Sequence, residues 1–451
     1  MRAEAAVAGL WALVGGDAAA LGWLTFSGAE PALASSFRLG TVAQAAVAAS
    51  GLAAAELRHA AGLPRQRVTV AMRHAAIEFQ SERHLLVEGA APPPVDALMG
   101  LYATRDSHVR IHTNFAHHRE RVLTLLGCAP TRAAVAAALA ERDAVAFETE
   151  AHAAGAVVAA LREATAWVAH PQAQALEALP VLTIERIGDA PPRPLPRSSP
   201  QGGRPLAGMT VLDLTRIIAG PVAGRTLAAH GADVRLITAP ALPQVDSLLA
   251  DTARGKHRVN ADLATPSGCQ LLAELIRGAD IVIQGFRAGA LDRRGFSPGE
   301  IARLRPGIVC VWLSAFGHVG PWAGRRGFDS LVQTATGFNA EEGRAAGAGA
   351  RELPCQALDH ATGYLLAFAA MMARLRQARE GGSWLVRASL AQTGRWIAGF
   401  GRQDGFAAAA FSPAEIDAVC ETRATPRGAV RAVRHAAQLA DTPAAWVPAD
   451  Y

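Results

Sequence analysis

The chain has 451 residues, of which 51% are hydrophobic and 18% charged, with a formal net charge of +5. That is enough apolar material for a large core in two or three domains. The charge is too dilute to make nucleic-acid binding the default, and no basic stripe interleaved with aromatics supports it. A mild positive surplus suits an anionic small molecule instead.

Arginine supplies nearly all of that positive charge. Lys256 is the only lysine, which points to a role that arginine cannot fill. The five cysteines, Cys128, Cys269, Cys310, Cys355 and Cys420, are scattered and form no CxxC. They read as reduced thiols of a cytoplasmic protein. The N-terminus, MRAEAAVAGLWALVGGDAAALGW, is faintly like a signal peptide, but Glu4, Asp17 and several glycines break the apolar run. It is expected to be the mature start. No apolar run is long enough to cross a membrane, so no membrane partner is expected.

Taken in order, residues 1–30 read as a helix and a glycine-containing turn, and residues 39–60 as a helix of small side chains. A turn at Gly62–Pro64 leads into an alternating strand, Arg67–Met72. Ala91–Pro94 marks a linker, a strand follows around Val109–Ile111, and residues 115–185 are mostly helical. His108, His112, His117 and His118 invite a zinc reading, but no cysteine or carboxylate stands at a matching spacing, so no metal is expected. Residues 190–206, APPRPLPRSSPQGGRPL, are the clearest linker in the chain.

After that linker the pattern becomes α/β. Strands are expected at Met209–Leu214, Asp233–Ile237, around Arg258–Leu263, at Asp280–Gln284 and at Ile308–Leu313. Between them come a helix from Gly220-Pro221 to His230-Gly231, one capped by Thr265-Pro266, and one with the capping box Ser297–Glu300. This alternation predicts a doubly wound, largely parallel Rossmann-like sheet. No GxGxxG follows the first strand, which disfavours dinucleotide binding.

The last strand runs into a Gly/Pro turn, Ser314–Pro321, and then into AGRRGFDSLVQTATG at 323–337. Asp329 falls near a helix N-terminus, where backbone N–H groups keep a carboxylate ionised. Such a residue can be a nucleophile, a base, a metal ligand or a plain N-cap. The chain also repeats itself. Val47–Ala75 parallels Ala367–Thr393, each with a small-residue helix, an arginine-containing exit (LRHA, LRQA), a glycine turn and a strand. The expected organisation is a partial duplicate half forming a smaller helical and α+β domain at 1–189, a linker at 190–206, an α/β body at 207–400 and a tail at 401–451.

Read together, the segments LAGMTVLDLTRIIAGPVAGRTLAAHGADVRLI (206–237), RGKHRVNADL (254–263), ADIVIQGFRAGALDRRG (279–295) and RPGIVCVWLSAFGHVGPWAGRRGFDSLVQTATG (305–337) resemble family III CoA-transferases of the CaiB/BaiF type, as does the stretch around Asp359–Leu390. Residues 1–190, with DSHVRIHTNFAHHRERVLTLLG at 106–127, resemble the second half of another copy. The resemblance implies that Asp329 attacks an acyl-CoA thioester. CoA then passes by way of an aspartyl thioester to an acceptor carboxylic acid. It implies coenzyme A as acyl-CoA substrate, bound by Arg216, Ala219, Gly220, Lys256 and Arg293. The glycine-rich Gly343–Gly349 is expected as a loop closing over the site, and a homodimer is the assembly the resemblance allows.

Departures stand beside these matches. Gly285 occupies a position often held by asparagine, and Thr238 and Ala239 replace charged residues. Related acyl-CoA racemases place a histidine directly before the aspartate, where this chain has Phe328, although Asp359 matches their second acid/base. Asp359 also reads as the N-cap of a helix from Ala361. The rival readings are thus an acyl-CoA racemase or epimerase and a catalytically inactive CoA-binding subunit.

Overall fold

Alanine and glycine set how closely the helices of the first half can pack. In the computed structural model, which describes residues 1–93, 96–196, 203–426 and 428–447, helix α1 (Leu39–Ala60) is buried along almost its whole length. Strand β1 (Val68–Ala71) follows it, then β2 (His108–Ile111) and helix α2 (Ala116–Leu126). Residues 197–202 of the expected linker, and Pro94 of the shorter one, lie outside the described residues.

The aliphatic runs become one seven-stranded sheet. Its members are β3 (Leu182–Gly188), β4 (Thr210–Leu214), β5 (Asp233–Thr238), β6 (Lys256–Asn260), β7 (Ile281–Gln284), β8 (Val309–Ser314) and β9 (Ser383–Ser389), in the order β6-β5-β4-β7-β8-β9-β3. Every pair is parallel except β9 with β3, where Val386 lies opposite Ile184. The antiparallel edge strand therefore comes from before the linker, and the first half is woven into the sheet. Cys310 and Val311 of β8 are fully buried, as a strand covered on both faces requires.

Helix α3 (Ala219–Ala229) follows β4, α4 (Pro266–Gly278) follows β6, and α5 (Pro298–Leu304) precedes β8. Caps stop and start them as the sequence indicates. Thr265 accepts from Gly268 N, and Ser297 and Glu300 form a complete capping box, each worth about 1 kcal/mol. Helix α6 (Asp329–Ala335) opens at the aspartate, and α7 (Ala357–Glu380) runs to β9. Helices α7 and α1 pack against each other. The tail turns back on the first half, where Ala437–Leu439 pairs antiparallel with β1. Among the described residues no helix is long and apolar enough to cross a membrane.

Strand order reverses between β4 and β7. In an open parallel sheet this reversal leaves a crevice beyond the carboxyl ends of the strands, where ligands characteristically bind.

Candidate active site

A cavity of about 440 Å³ occupies that crevice. Leu214 and Thr215 line it from the end of β4, Gly285 and Phe286 from β7, and Leu313 and Ser314 from β8. Phe115, His117 and His118, from the start of α2 in the first half, close the far wall. The turn from β4 into α3 is held tightly. Ile217 sits at φ +76°, a left-handed conformation that a β-branched residue adopts only under constraint. A Cβ on Gly220 would lie 2.4 Å from the Thr215 side chain, so glycine is required for the turn to close.

Asp329 is the first residue of α6 and is 1% exposed. It is not an N-cap: Phe328 holds that position. Its Oδ1 accepts from the Gln333 amide, and its Oδ2 accepts from the Asp359 backbone N–H at 2.9 Å. Gln333 is itself oriented, because its Oε1 takes N–H groups from Asn339 and Leu353 at 3.1 Å each, leaving the amide nitrogen to face Asp329. Asp359 is 5% exposed, borders the cavity, and lies within the first turn of α7 instead of capping it. Asp329 thus stands one hydrogen bond behind the cavity wall, between two residues of that wall, Phe328 and Asp359.

Two carboxyl groups in one dry place cannot both ionise at ordinary cost. Burial pushes Asp329 up to about 6, against the pull of its hydrogen bonds from Asp359, Gln333 and the Leu358 backbone. Asp359 is raised well above the usual range, by burial first and then by the Asp329 charge. The donors collect on Asp329, so it ionises first and Asp359 holds its proton, a division of one acid and one base.

Among the charged residues of the wall, cations prevail. Arg216, Arg287, Arg294, Arg325 and Arg326 line it beside two carboxyl groups, Asp262 and Asp359. Arg216 gives a hydrogen bond to Pro243 O at 3.1 Å and lies over the Phe115 ring. A surplus of arginine in a concave, partly dry site is a receptor for phosphate or carboxylate.

The expected ligand residues separate on this geometry. Arg216 and Ala219 border the cavity, and Gly220 packs behind them. Arg293 is exposed and folds over Gly289, whereas its neighbour Arg294 borders the cavity. Lys256 borders only a small side cavity, and its ammonium is turned inward to Asp213 Oδ2 at 2.7 Å and Pro221 O at 2.8 Å. The site beside it is narrow: a Cβ on Gly224 would lie 2.3 Å from Asp213 and 3.0 Å from the Lys256 nitrogen. That narrow space suits a compact ammonium, a physical reason for lysine at this position. Gly343–Gly349 is absent from the cavity wall; Gly343 lies in the helix Phe338–Ala345, and Gly349 faces His108. At Gly285 a Cβ would meet only ordinary contacts with Leu313 and Thr215, so a larger residue would fit.

Residues that sequence reasoning passed over are Arg287, Arg294, Arg325, Arg326 and Gln333. Gln333 had a readable signal, four residues after Asp329 on one helix. Phe328 stacks on His112 with centroids 3.8 Å apart, an apolar partner where a proton-transferring group would be needed for racemisation.

The family model described as CoA-transferase family III matches residues 206–432, just over half of the chain. The acetyl-coenzyme A transferase nodX of Hypoxylon pulicicidum is 35% identical over 214 residues, covering 46% of this chain and 35% of that protein. The probable fatty acyl-CoA transferase Rv3272 of Mycobacterium tuberculosis is 32% identical over 213 residues, covering 44% and 52%. The chain therefore spans about half or less of the length of these relatives. A crystal structure of a CAIB/BAIF family protein from Brucella suis aligns over 50% of this chain and 65% of that one, with 25% identity and a TM-score of 0.38. By the match over 206–432, the chain belongs to CoA-transferase family III.

Proposed function

We propose that the protein transfers CoA from an acyl-CoA to a carboxylic acid, with Asp329 as covalent nucleophile. The observation that carries this reading is the ionisable, oriented Asp329 carboxylate directly behind the wall of an arginine-lined cavity. Its Oδ attacks the thioester carbonyl carbon and the C–S bond breaks, leaving a mixed anhydride and the CoA thiolate. The thiolate attacks the aspartyl carbonyl and expels the donor acid. An acceptor carboxylate attacks the aspartyl thioester, and the returning thiolate takes the new acyl group, restoring Asp329. A dry site raises the nucleophilicity of a carboxylate that water would otherwise hold. Protonated Asp359 can donate to the developing oxyanion.

Arg216, Arg287 and Arg294, around the strand ends, suit the CoA phosphates, with the N-terminal turn of α3 at Ala219 beside them. Lys256 acts behind them by fixing Asp213 and the β4 turn. Names among the relatives, an acetyl-coenzyme A transferase and a probable fatty acyl-CoA transferase, support acyl-CoA as the donor. Reading residues 1–189 as a partial duplicate half is supported by the matching order of helix, strand and helix at 39–78 and 357–398.

The test is CoA exchange between a panel of acyl-CoAs and carboxylic acids. Transfer by the wild type should fall at least about a thousandfold in Asp329→Ala, the scale of losing a covalent nucleophile. Exchange of solvent deuterium into a 2-methylacyl-CoA without transfer would favour the racemase reading through Asp359. CoA binding with neither reaction would leave an inactive binding subunit.

A further inference from the structure

Behind the two aspartates, the halves of the chain meet through a buried imidazole. His360 follows Asp359 on α7 and is fully buried. Its Nε2 meets Glu82 Oε2 at 3.1 Å, and Glu82 belongs to the short helix Ser81–Arg83 of the first half. A carboxylate only accepts, so the ring nitrogen carries the proton between them. The ring stacks on Phe79 with centroids 5.4 Å apart, and its Nδ1 is buried with no hydrogen-bond partner. The other ionisable groups around it are accounted for. Asp251 is claimed by Arg225 and Arg254. Burial keeps the Cys355 thiol protonated against the pull of Arg83. Arg110 is paired with Glu352, and against the cost of burial its charge is supported by Asp329.

Glu82 and His360 act on different members of the aspartate pair. Burial raises Asp329, and beyond its hydrogen bonds the His360 charge pulls it down. Burial also raises Asp359, and there Asp329 and then Glu82 push the same way. A cation beside one carboxyl and an anion beside the other divide a shared proton unevenly. We propose that Glu82 and His360 are positioning residues for the transfer: the imidazole stands as cation to the Asp329 carboxylate, and Glu82 keeps the proton on Asp359. The first half of the chain thereby takes part in the reaction without touching substrate. This rests on the transferase reading and adds to it what fixes the separate roles of the two aspartates.

The test is the pH profile of kcat/KM for CoA transfer, with the Kd for CoA as a control on the fold. The wild type should give a bell, its acid limb set by Asp329 and its alkaline limb by the Asp359 proton. Glu82→Gln leaves the imidazole without its counter-charge and Asp359 without the anion beside it. The acid limb should then rise and the alkaline limb fall, each by about one unit, with the Kd for CoA within about threefold. His360→Gln removes the cation and leaves Glu82 unopposed, so both limbs should rise. Opposite movement of the alkaline limb in the two variants is the signature, because a mere strut between the halves would lower transfer and move neither limb. Limbs that stay within about 0.2 unit in either variant, or a wild type with no alkaline limb, would overturn the inference. A variant that fails to fold leaves the decision to the other and to the wild-type profile. Absence of an acyl-enzyme and of transfer to every acid would overturn the transferase reading itself.

Discussion

The molecule buries charge in two ways, and only one of them is balanced. Around Asp251 each charge meets its opposite. Arg225 and Ser81 reach Oδ2 at 2.5 and 2.6 Å, Arg254 reaches Oδ1 at 2.7 Å, and Arg254 also lies over Trp446 at 3.6 Å. Burial works to raise the Asp251 pKa, but Arg225 and Arg254 outweigh it and hold the carboxyl well below the usual range. Lys256 and Asp213 form a second such pair. At the cavity the balance fails: Asp329 and Asp359 crowd one another, and Arg326 has no opposite charge among the described residues. Paired buried charge ties Ser81 of the first half to Arg225 of α3 and to the Arg254–Lys256 segment. Unpaired charge marks where a ligand and a reaction belong.

The sharpest way to break this contrast is to unpair the balanced cluster. Asp251→Asn leaves two buried guanidiniums without their anion and should cost about 3–5 kcal/mol in urea unfolding. Arg326→Gln, by contrast, should change stability by less than about 0.5 kcal/mol. Equal costs would erase the distinction.

Relieving the crowded pair should do the opposite. Asp359 has a folded pKa raised above its unfolded value. The folded state therefore binds the extra proton, and stability is lost as pH rises from the unfolded value toward the folded one. Asp359→Asn should accordingly stabilise the protein more at pH 7 than near pH 4. A gain that is the same at both pH values would contradict the assignment.

A finer probe is the pH–rate profile. Activity should rise as Asp329 loses its proton, with a limb near about 6. Gln333→Leu removes a hydrogen bond that favours the charged form, so the limb should move upward by about one unit. A limb that stays put would mean that Gln333 does not hold the reacting carboxylate. The smallest effect separates adjacent arginines: Arg294→Ala should weaken CoA binding by about five- to tenfold, and Arg293→Ala by less than about twofold.

Much of the body was legible because its cues are local. The apolar runs became β4, β5, β7 and β8, and the caps at Thr265 and Ser297 stand where the spacing put them. The helix that opens at Asp329 was legible from the turn before it. Contacts between distant segments were not. Asp359 reaches Asp329 across thirty residues, Asp213 claims Lys256 from forty-three residues away, and His118 arrives at the cavity from the other side of the linker. Nothing in local periodicity encodes such pairings. Which of two neighbouring arginines faces the cavity is decided by the short helix Asp292–Arg294 and the Gly295 turn, where successive side chains point about 120° apart, a placement that composition does not carry.

The most direct measurement is a covalent trap. The protein is incubated with a panel of acyl-CoAs, quenched with hydroxylamine or borohydride, and the modified peptides are mapped by mass spectrometry. The account predicts modification at Asp329 in the wild type and its loss in Asp329→Ala. Modification at another carboxylate, or none with any donor while CoA still binds, would contradict it.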